Sequence, residues 1–208
     1  MAEDVVPFVF VSYTHDSPWH KQQVLDLATF LAAQRLHVCL DQWEPASRQD
    51  WYRWALANIP KADFVLAVVS APFRDAADGR VSAEENRGLQ AEAGLLRELL
   101  HTRRDEWTAK ILPVVLPGHT PDEIPLFLQP RTADHYPVDA FTVEGAEDLL
   151  RAITGQAAHP RPPMGDAAPV LGPRARVERP TGAPHQEVVS HGSGHVFATV
   201  TGDQTITL

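Results

Sequence analysis

A chain of 208 residues with 44% hydrophobic and 22% charged residues can bury one good core and still leave a tail, and it is too apolar to be wholly disordered. Its formal net charge of −9 excludes a general nucleic-acid binder, because an acidic surface repels phosphate backbones, and it opposes docking on anionic membranes. The excess is local: residues 157–208 hold four basic and four acidic side chains, so the 14 basic and 23 acidic residues before them carry all of it.

The single cysteine, Cys39, has no internal disulfide partner and lies in the apolar run 36–40, where it reads as a small buried hydrophobe. Residues 1–8 carry acids where a secretory leader carries bases. No run reaches the ~18 apolar residues of a membrane helix. The expected compartment is the cytoplasm.

The first strand is expected at Phe8-Val9-Phe10-Val11, a continuous apolar run that ends at Ser12-Tyr13. Asp16-Ser17-Pro18 opens a helix in which Val24, Leu25, Leu27, Ala28, Leu31 and Ala32 recur at helical spacing. A second strand over 37–40 ends in Asp41-Gln42-Trp43-Glu44. A short helix over 50–58 follows and is stopped by Pro60. The third strand, 64–69, is the most apolar.

Residues 71–85 are polar and contain Asp78-Gly79, which predicts a loop. Next come a helix over 86–101 and a fourth strand over 111–116, whose Pro113 favours an edge position or a strand end. A fifth strand near 135–138 and a helix over 144–153 complete the domain. Apolar strands alternating with amphipathic helices imply an α/β fold: a flavodoxin-like, doubly wound parallel sheet with helices on both faces. Ligands of such sheets sit at the carboxyl ends of the strands.

Three segments are expected: a domain over 1–155, a Pro-rich linker over 156–186 and a β-prone peptide over 187–208. Seven prolines between Pro160 and Pro184 mark the linker. The last stretch alternates around Gly202-Asp203, as a hairpin or an added strand would. His191 and His195 are four apart, but Gly192 and Gly194 argue against a helical metal pair, and no metal site is expected.

Glu92 is the informative polar residue. With Leu89 at zero and about 100° per residue, Leu96 lies about 20° and Glu92 about 60° to one side, with Ala93 and Leu100 on the other. A carboxylate therefore stands on an apolar helical stripe. Burying an unpaired charge is expensive, so the group either pairs, with Arg87 for example, or works at a cleft. Asp41-Gln42-Trp43-Glu44 puts two acids and an indole where a strand ends. This is either a capping and packing turn or a loop that meets a ligand or partner. P-loop, GxGxxG, GxSxG and CxxC patterns are all missing.

Five blocks in order carry a resemblance. Phe8-Val-Phe-Val-Ser-Tyr-Thr-His-Asp-Ser-Pro-Trp-His-Lys21 resembles the first box of SEFIR domains, the TIR relatives of interleukin-17-type receptors and many bacterial proteins. Val38-Cys-Leu-Asp-Gln-Trp-Glu44 is similar to the second block. Asp63-Phe-Val-Leu-Ala-Val-Val-Ser-Ala-Pro-Phe73 is similar to the third, and Leu89-Gln-Ala-Glu-Ala-Gly-Leu-Leu96 to the fourth. Ile111-Leu-Pro-Val-Val-Leu116 with Ile124-Pro-Leu-Phe-Leu128 completes the match.

The resemblance implies homotypic contacts with other TIR or SEFIR domains, self-association included, in a bacterial signalling or defence system. It implies an alternative too: NAD cleavage at the nicotinamide–ribose bond, with Glu92 matching the catalytic glutamate of TIR enzymes. NAD would then be the substrate and no resident cofactor is expected. Ser12, Tyr13, Asp41 and Trp43 would line the pocket. Ala91 stands where many relatives carry an aromatic residue just before that glutamate.

Overall fold

The three interior strands of the sheet are short and apolar, because each is covered on both faces. The computed structural model describes residues 6–82, 84–129, 131–168 and 172. Its strands are β1 (Phe8–Ser12), β2 (His37–Cys39), β3 (Phe64–Val68), β4 (Ile111–Val115) and β5 (Tyr136–Pro137). They form one five-stranded sheet in the order β2-β1-β3-β4-β5, parallel at every pairing. The helices are α1 (Pro18–Ala33), α2 (Trp51–Asn58), α3 (Ala71–Ala77), α4 (Arg87–Thr102), α5 (Arg104–Lys110) and α6 (Glu147–Thr154).

Side-chain alternation along the strands builds two cores. Val9 and Val11 of β1, Leu66 and Val68 of β3, and Leu112 and Val114 of β4 meet α1 and α6 on one face. Phe10, Val65, Ala67, Ile111 and Val115 meet α2 to α5 on the other. Burying each large aliphatic residue contributes roughly 1.5–3 kcal/mol, so the two apolar layers dominate the fold's stability. The expected doubly wound α/β architecture is the one observed.

Two short helices were not expected. Helix α3 occupies the first part of the predicted 71–85 loop. Ser70 caps it by accepting the Phe73 N–H at 3.1 Å, Pro72 sits in its first turn, and Phe73, Ala76 and Ala77 are buried. Helix α5 carries Asp105 and Glu106 in its first turn and Lys110 in its last, which suits the helix dipole, and it buries Trp107.

Pro113 stands in the middle of β4, which pairs on both sides, and not at an edge. The Val69 N–H donates to the Val114 carbonyl at 3.0 Å, and the Val138 N–H to the Val115 carbonyl at 2.9 Å. Backbone groups alternate in direction, so Pro113 faces β5 as Val115 does. Strand β5 opens only at Tyr136, opposite Val114. The missing N–H of Pro113 therefore points to a place where no strand partner has begun.

Helix α6 ends at Gly155, whose φ of +67° is the left-handed C-cap conformation that favours glycine. Residues up to Pro160 group as one unit, and residues 156–168 contain no helix or strand. The rest of the expected linker apart from Gly172, the β-prone peptide, and His191 and His195 lie outside the described residues. Among the described residues, no helix is long and apolar enough to cross a membrane.

Candidate functional site

The carboxyl ends of β1 and β2 and the faces of α2 and α4 enclose a cavity of about 230 Å³. Its walls include Tyr13, His15, Asp41, Trp51, Trp54 and Glu92. It adjoins the place where chain order reverses between β1 and β3, the usual ligand position in such sheets.

Ser12 ends β1 on the side facing α4, since Phe10 two residues earlier packs on that side as well. Its buried hydroxyl donates to Glu92 Oε2 at 2.6 Å. Helix α4 presents Glu92 one turn after Leu89 and beside buried Ala93 and Leu96, so the carboxyl is drawn onto an apolar face. Burial raises its pKa from 4.5 to about 7. The Ser12 bond opposes that rise, and the charge of Asp41 adds to it. Arg87 forms no ion pair with Glu92 among the described residues, so the pairing alternative is not what the structure contains.

Asp41 opens a 3-10 turn at the end of β2. Tyr13 donates its hydroxyl to Oδ1 at 2.9 Å, and His15 Nε2 lies 2.7 Å from Oδ2. Burial works to raise the Asp41 pKa, but the bonds from His15 and Tyr13 prevail and hold it below the usual carboxylate range. Burial, with the adjacent Asp41 charge, pushes Tyr13 up, so it remains a neutral donor. One cavity thus holds two carboxyls whose environments drive their ionisation apart, a pattern typical of acid–base sites. Thr14 and Ser70, both buried, share a hydroxyl–hydroxyl bond of 3.0 Å that ties the segments following β1 and β3 together at the cavity wall.

Tyr13, Asp41 and Glu92 come together on the cavity wall and Ser12 reaches it through its bond to Glu92, whereas Trp43 does not. It stands on the same turn as Asp41, 44% exposed and outside the cavity wall. Gln42 anchors that turn by donating to the Lys21 carbonyl at 3.0 Å, and Glu44 accepts the Trp54 indole N–H at 3.2 Å. The turn is therefore both a packing turn and the carrier of a cavity residue.

His15, Trp51, Trp54 and Asn86 line the cavity without having been sequence candidates. The i, i+3 spacing of Trp51 and Trp54 put both indoles on one helical face, a signal present in the sequence. Nothing in the sequence marked His15. Cys39 is half-buried, and its thiol is pushed up to about 12 by burial first and then by Glu44 and Asp41, which makes it unreactive.

A larger cavity of about 590 Å³ lies at the start of β4, beside Trp107, Phe127 and Tyr136. It is at the amino end of the strand, away from the usual ligand edge, so the smaller cavity is the better site.

Residues 7–141 match the SEFIR domain family. No curated protein matches this chain. The chain is similar to the crystal structure of a prokaryotic SEFIR domain, at 22% identity and a TM-score of 0.54, with 76% of this chain and 99% of that one covered. At that identity the likeness speaks for the fold alone. The family match spans well over half of the chain and contains every side chain of the small cavity; the chain belongs to the SEFIR domain family of TIR-like signalling domains.

Proposed function

We propose that this domain cleaves the nicotinamide–ribose bond of NAD, with Glu92 as the carboxylate beside the reacting carbon. The observation that carries the reading is Glu92 on the wall of a cavity that Asp41 shares, with its Oε2 held by the Ser12 hydroxyl at 2.6 Å. Departure of nicotinamide leaves an oxocarbenium-like ribose, and a fixed carboxylate at that point stabilises the developing positive charge. A cavity of about 230 Å³ is below the roughly 300–1,000 Å³ of pockets for whole drug-sized ligands. It suits the nicotinamide–ribose end, with the remainder of the dinucleotide outside. Trp51 and Trp54 offer the aromatic surface that Ala91 lacks.

The cationic nicotinamide ring itself favours an ionised Glu92 once bound. Purified protein at high concentration, incubated with NAD, is expected to release nicotinamide and ADP-ribose, and Glu92→Gln to abolish that release. Turnover that survives Glu92→Gln rules out Glu92 as the catalytic carboxylate.

A second observation favours homotypic assembly in a bacterial signalling or defence system, alongside the first reading. Trp43, Trp51 and Tyr52 are all exposed on one turn and the helix after it, and exposed aromatic side chains are frequent interface anchors. Like-with-like contact through Trp43 is compatible with NAD cleavage, since Trp43 lies outside the cavity wall that Trp51 lines.

A further inference from the structure

Water that captures the ribosyl cation has to lose a proton, and Glu92 is already engaged by Ser12 and assigned to the positive carbon. Both oxygens of Asp41 are occupied as well, Oδ1 by Tyr13 and Oδ2 by His15. The remaining titratable group on the cavity wall beside them is His15. An ionised carboxylate only accepts hydrogen bonds, so the Nε2 atom facing Asp41 Oδ2 at 2.7 Å carries the imidazole hydrogen. The lone pair of the neutral ring is then on Nδ1, for which the described residues provide no hydrogen-bond partner. The side chain is 54% exposed, open to water, and the Tyr13 ring lies 5.0 Å from it. A carboxylate that fixes the tautomer of an accessible imidazole is the arrangement of a general base.

We propose that His15, oriented by Asp41, is the general base for the water that attacks the ribosyl carbon. The inference rests on the nucleosidase reading above. The C1′–N bond breaks with its electron pair left on the nicotinamide nitrogen. The water oxygen bonds to C1′, and its proton passes to His15 Nδ1 and on to solvent. The products are nicotinamide, ADP-ribose and one proton.

An added pyridine base can capture the same cation through its ring nitrogen, which has no proton to lose, so exchange needs no general base. The test compares the full wild-type chain with His15→Gln and Glu92→Gln, each given NAD alone and NAD with excess 3-acetylpyridine, after thermal unfolding has verified that all three are folded. His15→Gln is expected to lower hydrolysis roughly 10²-fold and exchange far less, so that the ratio of hydrolysis to exchange falls at least about tenfold. Glu92→Gln is expected to remove both. Wild-type turnover with equal losses of hydrolysis and exchange in His15→Gln overturns the general-base assignment while the nucleosidase reading stands. A wild-type chain that yields neither product overturns both.

Discussion

Glu92 and Asp41 face the same small cavity with opposite tendencies to ionise. Glu92 holds its proton more tightly in the folded protein than in the unfolded chain, where its pKa is near 4.5. The stability this contributes is fully present below pH 4.5 and is lost as pH rises through about 7. Glu92→Gln keeps the shape and an acceptor for Ser12 while removing the titration. The variant is therefore expected to match the wild type near pH 4 and to be more stable above pH 7, by about 1–3 kcal/mol. Urea unfolding at the two pH values checks this, and curves that stay parallel contradict it. Under the proposed NAD cleavage, nicotinamide release is expected to rise over the same interval through about pH 7. The opposite pH trends of stability and turnover are what one partly buried acid should produce.

Among the elements, α3 shows how a short helix is made by its ends. Seven residues are too few for a stable helix on propensity alone, so a cap and a buried face have to hold it. Ser70 supplies the cap to the Phe73 N–H and also shares the hydroxyl bond with Thr14. Ser70→Ala is expected to cost about 1–3 kcal/mol through the lost cap and the orphaned Thr14 hydroxyl. Thermal denaturation measures it, and an unchanged midpoint would show that the cap is dispensable. The cap, the proline and the buried Phe73, Ala76 and Ala77 are all visible in the sequence, yet a seven-residue helix spans barely two turns and gives no period to detect. Asp78-Gly79 truly marks a break, but it closes this helix and does not define a fifteen-residue loop. Pro113 misled in a different way. Whether a missing N–H matters depends on where the neighbouring strand starts, and β5 starts one position too late to require it.

For the whole molecule, the proposed homotypic assembly rests on the exposed aromatic stretch of Trp43, Trp51 and Tyr52. Trp43→Ala is expected to reduce self-association in sedimentation velocity without changing the unfolding midpoint, because the side chain is exposed and outside the cavity wall. An identical oligomer distribution for both proteins at high concentration would remove this turn from the contact.

Sequence alone was sufficient for the α/β order, the parallel sheet with its two apolar layers, and the presence of a carboxylate on an apolar helical stripe. These follow from periodicity, which is written locally along the chain. Only the tertiary structure decided what that carboxylate meets. Ser12 and Glu92 are 80 positions apart, and Tyr13 and Asp41 are 28 apart. Contacts of that separation depend on which strands lie side by side, and no local pattern encodes them. For the same reason His15, unmarked in the sequence, became a wall of the cavity, while Trp43, the more conspicuous residue, stayed on the surface. Strand order turned β1's end toward α4 and brought the Asp41 turn beside it; that placement, set by packing across the sheet, made one cavity out of residues that the sequence could only nominate.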